Sequence, residues 1–173
     1  PACSAGYNNL MVTTLAANSG IIAQSRCLGT TLIPRGNVGN GVAIASDGTI
    51  WVAGSTASGK FLSALPGASW THGPDPVVSD YFHGFLAHLT SDASTVLTQV
   101  YLGGTYNDEI LDLALDSQDR PVVVGQTTYL TSTDPPFPTT ANAYQQSSAT
   151  TIVINTTDAF VTQLGGRTEM SEF

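Results

Sequence analysis

Charge is the scarcest property of this chain. Only 10% of its 173 residues are Asp, Glu, Lys or Arg, and 13 acidic side chains face 5 basic ones, for a net charge of −8. So few cations cannot neutralise a run of phosphates, which excludes nucleic acid as a partner and disfavours anionic membrane surfaces. Long apolar runs are missing as well. No stretch approaches the roughly 20 residues of a spanning helix, so no membrane insertion is expected. No segment carries a helical apolar stripe with caps at both ends.

Ser and Thr fill the gap, with 39 residues between them, punctuated by 17 Gly and 9 Pro. Many Thr and Val with few Lys and Glu favour strands over helices. Low charge and an even cysteine count fit an oxidising compartment, so the chain is read as secreted or displayed on a cell surface. There Cys3 and Cys27 are expected to form a disulfide, a closure that stabilises a chain of this kind by about 3 kcal/mol. The chain opens on Pro1 and not Met, read as a processed or trimmed start; the lack of a leader therefore carries no weight.

An internal repeat organises the sequence. Met11-Val12-Thr13-Thr14-Leu15, Phe85-Leu86-Ala87-His88-Leu89 and Phe160-Val161-Thr162-Gln163-Leu164 share one pattern, and their starts at 11, 85 and 160 lie 74 and 75 residues apart. Cys27-Leu28-Gly29-Thr30 aligns with Tyr101-Leu102-Gly103-Gly104, and Val42-Ala43-Ile44 with Leu113-Ala114-Leu115. Ile50 to Thr56 aligns with Pro121 to Thr127, which sets Gly54 over Gly125. Each repeat reads as four short strands, near 10–15, 21–27, 42–46 and 50–55, then near 84–89, 95–101, 110–116 and 121–127. Asn18-Ser19-Gly20, Asp47-Gly48, Ser91-Asp92-Ala93 and Gln118-Asp119 supply the turns. Pro121, unable to donate to a ladder, belongs at a strand start or edge. Four consecutive antiparallel strands per repeat predict an all-β protein of two propeller-type blades in tandem. The units expected are 1–82 and 83–157, each a blade with a long connection, and 158–173, a trailing strand and tail.

The second repeat resembles the bacterial SBBP β-propeller repeat family. The resemblance rests on Tyr101-Leu102-Gly103-Gly104, Asn107-Asp108-Glu109, Leu113 to Ser117, Val122 to Thr127, Pro136-Phe137-Pro138-Thr139-Thr140, Ala143-Tyr144-Gln145 and Asp158-Ala159-Phe160-Val161. The first repeat is a degenerate copy that keeps Gly54 and Thr56 and lacks the Phe-Pro-Thr-Thr piece. The resemblance implies a propeller of secreted or surface proteins. It brings no catalytic residues and no cofactor.

Candidate contacts fall in the long connections, near 57–81 and 128–157. Trp70, His72, Tyr129, Phe137 and Tyr144 set aromatic rings beside polar groups, which suits stacking on a sugar or a protein partner. The competing reading is that they close the loops onto the blade edges. His83 and His88 stand five apart, on opposite faces of one strand, and neither they nor the acidic stretch from Asp108 to Asp119 have metal-ligand spacing, so no metal is expected. No Ser sits in a nucleophile elbow, and the chain is not read as an enzyme. Asn155-Thr156-Thr157 is a glycosylation pattern of low specificity. Asp158, Phe160, Val161 and Leu164 repeat the first strand of a blade with no second to follow, a strand suited to joining its own blades or those of a neighbour. The leading expectation is a structural or adhesive protein that assembles into a ring or filament. Carbohydrate binding, with a glycan as ligand, is the alternative, followed by a non-catalytic piece of a larger secreted enzyme.

Overall fold

The computed structural model describes residues 10–28, 36–57, 68–72, 81–104, 106–129, 137–146 and 156–165. These residues are all strand, turn and loop, with no helix among them. Ten strands run in chain order: β1 (Leu10–Leu15), β2 (Ile22–Leu28), β3 (Asn37–Ile44), β4 (Ile50–Thr56), β5 (Ala68–His72), β6 (His83–Leu89), β7 (Val96–Leu102), β8 (Asp108–Leu115), β9 (Pro121–Tyr129) and β10 (Thr156–Gln163). They form three sheets. The first pairs β1 with β2, the second runs β3-β4-β6-β7-β5, and the third runs β10-β9-β8. All pairings are antiparallel except β5 with β7, which is parallel.

The strands pair in a different phase from the one the repeat suggests. Four strands of one repeat were expected to make one blade. Instead β4, the last strand of the first repeat, bonds to β6, the first of the second, across residues 50–56 and 83–89. The same crossing recurs where β9 takes β10. The second and third sheets therefore join the second half of one repeat to the first half of the next, while the first sheet pairs the first half of the first repeat alone. Hydrophobic alternation reports the faces of a strand but not which edge it joins, so the sequence pattern is blind to this choice. The trailing strand also has a place: β10 is zipped onto β9 over its whole length. Two further boundaries moved. The third strand begins at Asn37, and β5 lies inside the first long connection.

The sheets stack face to face around two cores. Between the first and second sheets lie Val12 and Leu28 against Ile50, Val52, Phe85 and Leu89. Between the second and third lie Trp51, Ala53, Leu86 and Val100 against Ile110, Leu113 and Val123. Alternate residues of β4 and β6 thus serve opposite cores, and both strands are buried at every position. This is the pattern of a central strand covered on both sides.

Corresponding details recur in both repeats. Gly54 and Gly125 each stand opposite an irregularity of the inner strand, at Gly39/Gly41 in β3 and at Ile110/Asp112 in β8. A Cβ on Gly54 would run into the Val38 carbonyl, and one on Gly125 into the Glu109 carbonyl. The bulge pushes a backbone oxygen over the neighbouring strand, and only glycine leaves room for it. Phe85 and Phe160 lie directly across from these glycines on the next strand. Thr56 Oγ1 donates to Asn37 Oδ1 at 2.6 Å, and Thr127 Oγ1 donates to Asp108 Oδ1 at 2.6 Å, tying inner strand to second strand alike in each repeat.

Candidate functional site

One cleft gathers polar side chains at the end of the stack where the β3–β4 and β8–β9 turns lie side by side. The turns are built alike. Gly48 N donates to Ala45 O and Ala45 N to Thr49 O, both at 2.9 Å. Asp119 N donates to Asp116 O and Asp116 N to Arg120 O, both at 3.0 Å. The third loop residue adopts a left-handed conformation in both, at Gly48 (φ 82) and Asp119 (φ 61). This is the three-residue hairpin loop closed by a left-handed residue. Asp tolerates that conformation better than most side chains, which is why Gln118-Asp119 can stand where the other repeat has Asp47-Gly48.

Carboxylates order both loops. Asp47 Oδ1 accepts from Thr49 N (3.0 Å) and Thr49 Oγ1 (2.6 Å). Asp116 accepts from the N–H groups of Gln118 and Arg120, from Arg120 Nε at 2.7 Å and from Gln163 Nε2 at 2.8 Å. The backbone N–H of Arg120 leads the groups that hold its carboxyl below the ordinary range. Asp119 crosses from one loop to the other, accepting from Ser46 N at 3.1 Å and from the Ser46 hydroxyl.

The cleft floor is a buried stack. Trp51 and His88 lie parallel, with centroids 4.1 Å apart and planes within 4°. His88 Nε2 lies 2.8 Å from Thr49 Oγ1. A hydroxyl has one proton, and Thr49 gives its proton to Asp47, so the imidazole donates to Thr49. That is the reverse of what nucleophile activation requires, because a general base must accept from the hydroxyl. The relay His88–Thr49–Asp47 holds the loop in place. The cleft encloses about 280 Å³, with Ser46, Asp47, Trp51, His88, Gln118 and Asp119 in its lining. Carboxylates and an amide over an aromatic floor can hydrogen-bond a small polyhydroxyl molecule.

A second polar knot is structural. Asp108 is fully buried, accepts from Gly104 N at 2.7 Å and from Thr127, and lies 3.7 Å from His83 Nδ1. It fastens the β7–β8 connection to β9. Among the described residues, no group of three or more His, Cys, Asp or Glu is placed to hold a metal.

The five expected contact residues fall on different elements. Phe137 is a correction: its ring is buried and stacked on Phe160 at 4.1 Å, inside the core between the second and third sheets. A buried ring satisfies its own loop, as the competing reading held, and presents no face to a ligand. Tyr144 is fully exposed. Trp70 and His72 stand on the edge strand β5, opposite Val100 and Leu102. Tyr129 ends β9 opposite Thr156. Of the trailing-strand residues, Leu164 is buried, Phe160 packs on the core, Asp158 stands opposite Thr127 and Val161 is 74% exposed. Cys3 lies outside the described residues, and among those described no cysteine is free.

Sequence reasoning passed over Trp51, and it treated His88 only as half of a metal pair. The usable signal was the alignment of Asp47-Gly48 with Gln118-Asp119. It places two turns with acidic residues at the same end of neighbouring sheets. Scanned against protein-family models the chain matches none, and no curated protein matches it.

Proposed function

We propose that this chain is a non-enzymatic structural or adhesive module of propeller-type blades, working outside the cell and associating with copies of itself. The observation that carries the reading is the uneven strand count of three repeat-related sheets. The middle sheet has four antiparallel strands and the flanking ones two and three, so among the described residues β1 and β10 are each paired on one side only, where the equivalent β6 is paired on both. Unfilled edges recruit strands. Blades that lack closure within one chain gain it by joining others, as a ring or, if the rotation does not close, a filament. The motifs of the second repeat that resemble SBBP repeats support the same class. Few charges suit the extracellular setting, and the expected Cys3–Cys27 bond would suit it too. Sedimentation velocity from low to high concentration tests the reading, with electron microscopy of the concentrated protein. Growing complexes support it; a monomer at every concentration ends it.

A second reading follows from the cleft at Ser46 and Asp119. Its carboxylates and the Gln118 amide suit a glycan hydroxyl cluster, which keeps carbohydrate binding in view. Calorimetric titration with simple sugars tests it. Binding that is lost in Gln118→Ala, whose amide lines the cleft, with melting unchanged, supports a lectin-like role.

A further inference from the structure

We infer that β1 and β2 of one copy complete the third sheet of another, by taking the slot that β10 fills within its own chain. This rests on the self-association reading above and names its surface and its partner, a second copy of this chain.

The repeat makes the positions comparable. β1, β6 and β10 are one repeat position, with Met11, Phe85 and Phe160 in register, and Leu15, Leu89 and Leu164 likewise. β2 corresponds to β7: Leu15 pairs Ile22 as Leu89 pairs Val96. The second sheet shows the complete arrangement β3-β4-β6-β7. The third sheet offers β8 and β9, the equivalents of β3 and β4. The first sheet offers β1 and β2, the equivalents of β6 and β7. A hybrid β8-β9-β1-β2 from two copies reproduces the four antiparallel strands of the middle sheet in order, without a counterpart of β5.

Exposed apolar side chains mark the same surfaces. Phe85, Leu89 and Val96 are buried at 0–1% exposure, whereas their counterparts Met11, Leu15 and Ile22 stand at 60%, 62% and 63%. In the hybrid these three face the second sheet of the other copy, where Phe160 and Leu164 of β10 now pack. On β3, Val42 and Ile44 are 65% and 72% exposed, whereas Leu113, the counterpart of Val42, is buried. By the placing of Leu113, Val42 and Ile44 face the side where the first sheet has, among the described residues, no counterparts of β8 and β9. Extending β1 by the other copy's β9 and β8 lays two strands over them. One rearrangement thus covers both patches. Simple end-to-end stacking of the first and third sheets would leave Val42 and Ile44 bare. The contact is head-to-tail, since the edge that accepts and the hairpin that is donated are different surfaces.

Sedimentation velocity on the full chain and four variants tests the exchange. A chain ending at Thr157 lacks the competing strand and is expected to associate at tenfold or lower concentration than the full chain. Met11→Lys with Leu15→Lys, both on exposed positions, is expected to stay monomeric. Val161→Lys alters only β10 and is expected to associate as the unmodified chain does. Should the shortened chain fail to fold, Val124→Cys with Val161→Cys joins directly opposite residues of β9 and β10. The oxidised tie is expected to abolish association and its reduction to restore it, against the unmodified chain in the same reductant. If the full chain associates but the oxidised tie or the Met11/Leu15 change leaves it intact, the exchange fails and self-association stands. If Val161→Lys abolishes association, the sheets stack end to end and the exchange fails. A full chain that is monomeric throughout overturns both readings.

Discussion

β4 and β9 occupy the same place in their repeats, yet their surroundings differ. Every residue of β4 is buried, while β9 alternates and leaves Val124 39% exposed. The residue at the position of Val124 is Ala53 in β4, fully buried. Burial here is set by the number of neighbouring sheets and not by the hydrophobicity of the strand, since both strands are apolar. A strand between two sheets serves two cores; the same strand at the end of the stack serves one.

The largest effect should come from the glycines the two strands share. Gly54→Val and Gly125→Val each drive a side chain into a backbone carbonyl of the bulged neighbour. Carbonyls in a ladder cannot swing aside without breaking it, so each change should cost about 4 kcal/mol, at the severe end for single substitutions. Urea denaturation measures it. Equal losses would show that the bulge matters more than the covering sheets; a smaller loss at Gly125 would show the reverse.

Leu86 and Val161 sharpen the contrast, because they are the same repeat position in β6 and β10. Leu86 is fully buried and Val161 is 74% exposed. Leu86→Ala should cost about 3 kcal/mol through lost burial and a cavity, whereas Val161→Ala should stay within about 0.5 kcal/mol. Comparable midpoints for the two variants would show that the end sheet is covered in solution.

Cys27 marks a difference between the first sheet and the second, where Tyr101 takes its place in the core. Removing the proposed bond by Cys27→Ser should cost up to about 3 kcal/mol. Thiol counting in denaturant without reductant checks the bond directly: two reactive thiols would refute it.

The smallest effect concerns the β6–β7 turn, which holds a carboxylate that the β1–β2 turn lacks. Asp92 Oδ1 accepts from Thr90 Oγ1 at 2.6 Å and from Ser94 N at 2.9 Å. The Thr90 hydroxyl first, and then the Ser94 N–H, lower its pKa from 3.8 to about 2. A carboxyl depressed by folding stabilises the fold above its unfolded value and loses that contribution as pH falls through the folded one. The contribution is therefore complete above about pH 4 and gone below about pH 2. Asp92→Asn should flatten the fall of the urea midpoint over that window; an unchanged slope would show the turn bonds to be irrelevant to stability.

Much of the fold was legible. The turns at Asp47-Gly48 and Gln118-Asp119 were readable because left-handed residues are few. Pro121 opens its strand as a residue without an N–H must. The clustering of Trp51, His88, Thr49 and Asp119 was not, since it joins residues up to 70 positions apart through sheets whose stacking order no local pattern encodes. Phe137 misled for a related reason. Phe137 sits in a Pro-rich loop that looks like surface, and only its contact with Phe160 shows it to be core.

Composition and the repeat by themselves determined an all-β chain and the places of most strands and turns. Those features depend on one residue's conformational range or on period-two alternation, both local properties. The tertiary structure alone decided that strands pair across the repeat boundary, that β10 closes onto β9, and which of the equivalent apolar side chains are buried. These depend on which edge meets which edge and on how many sheets lie above a face. No residue carries that information alone, because every repeat offers the same edges and the same faces to its neighbours.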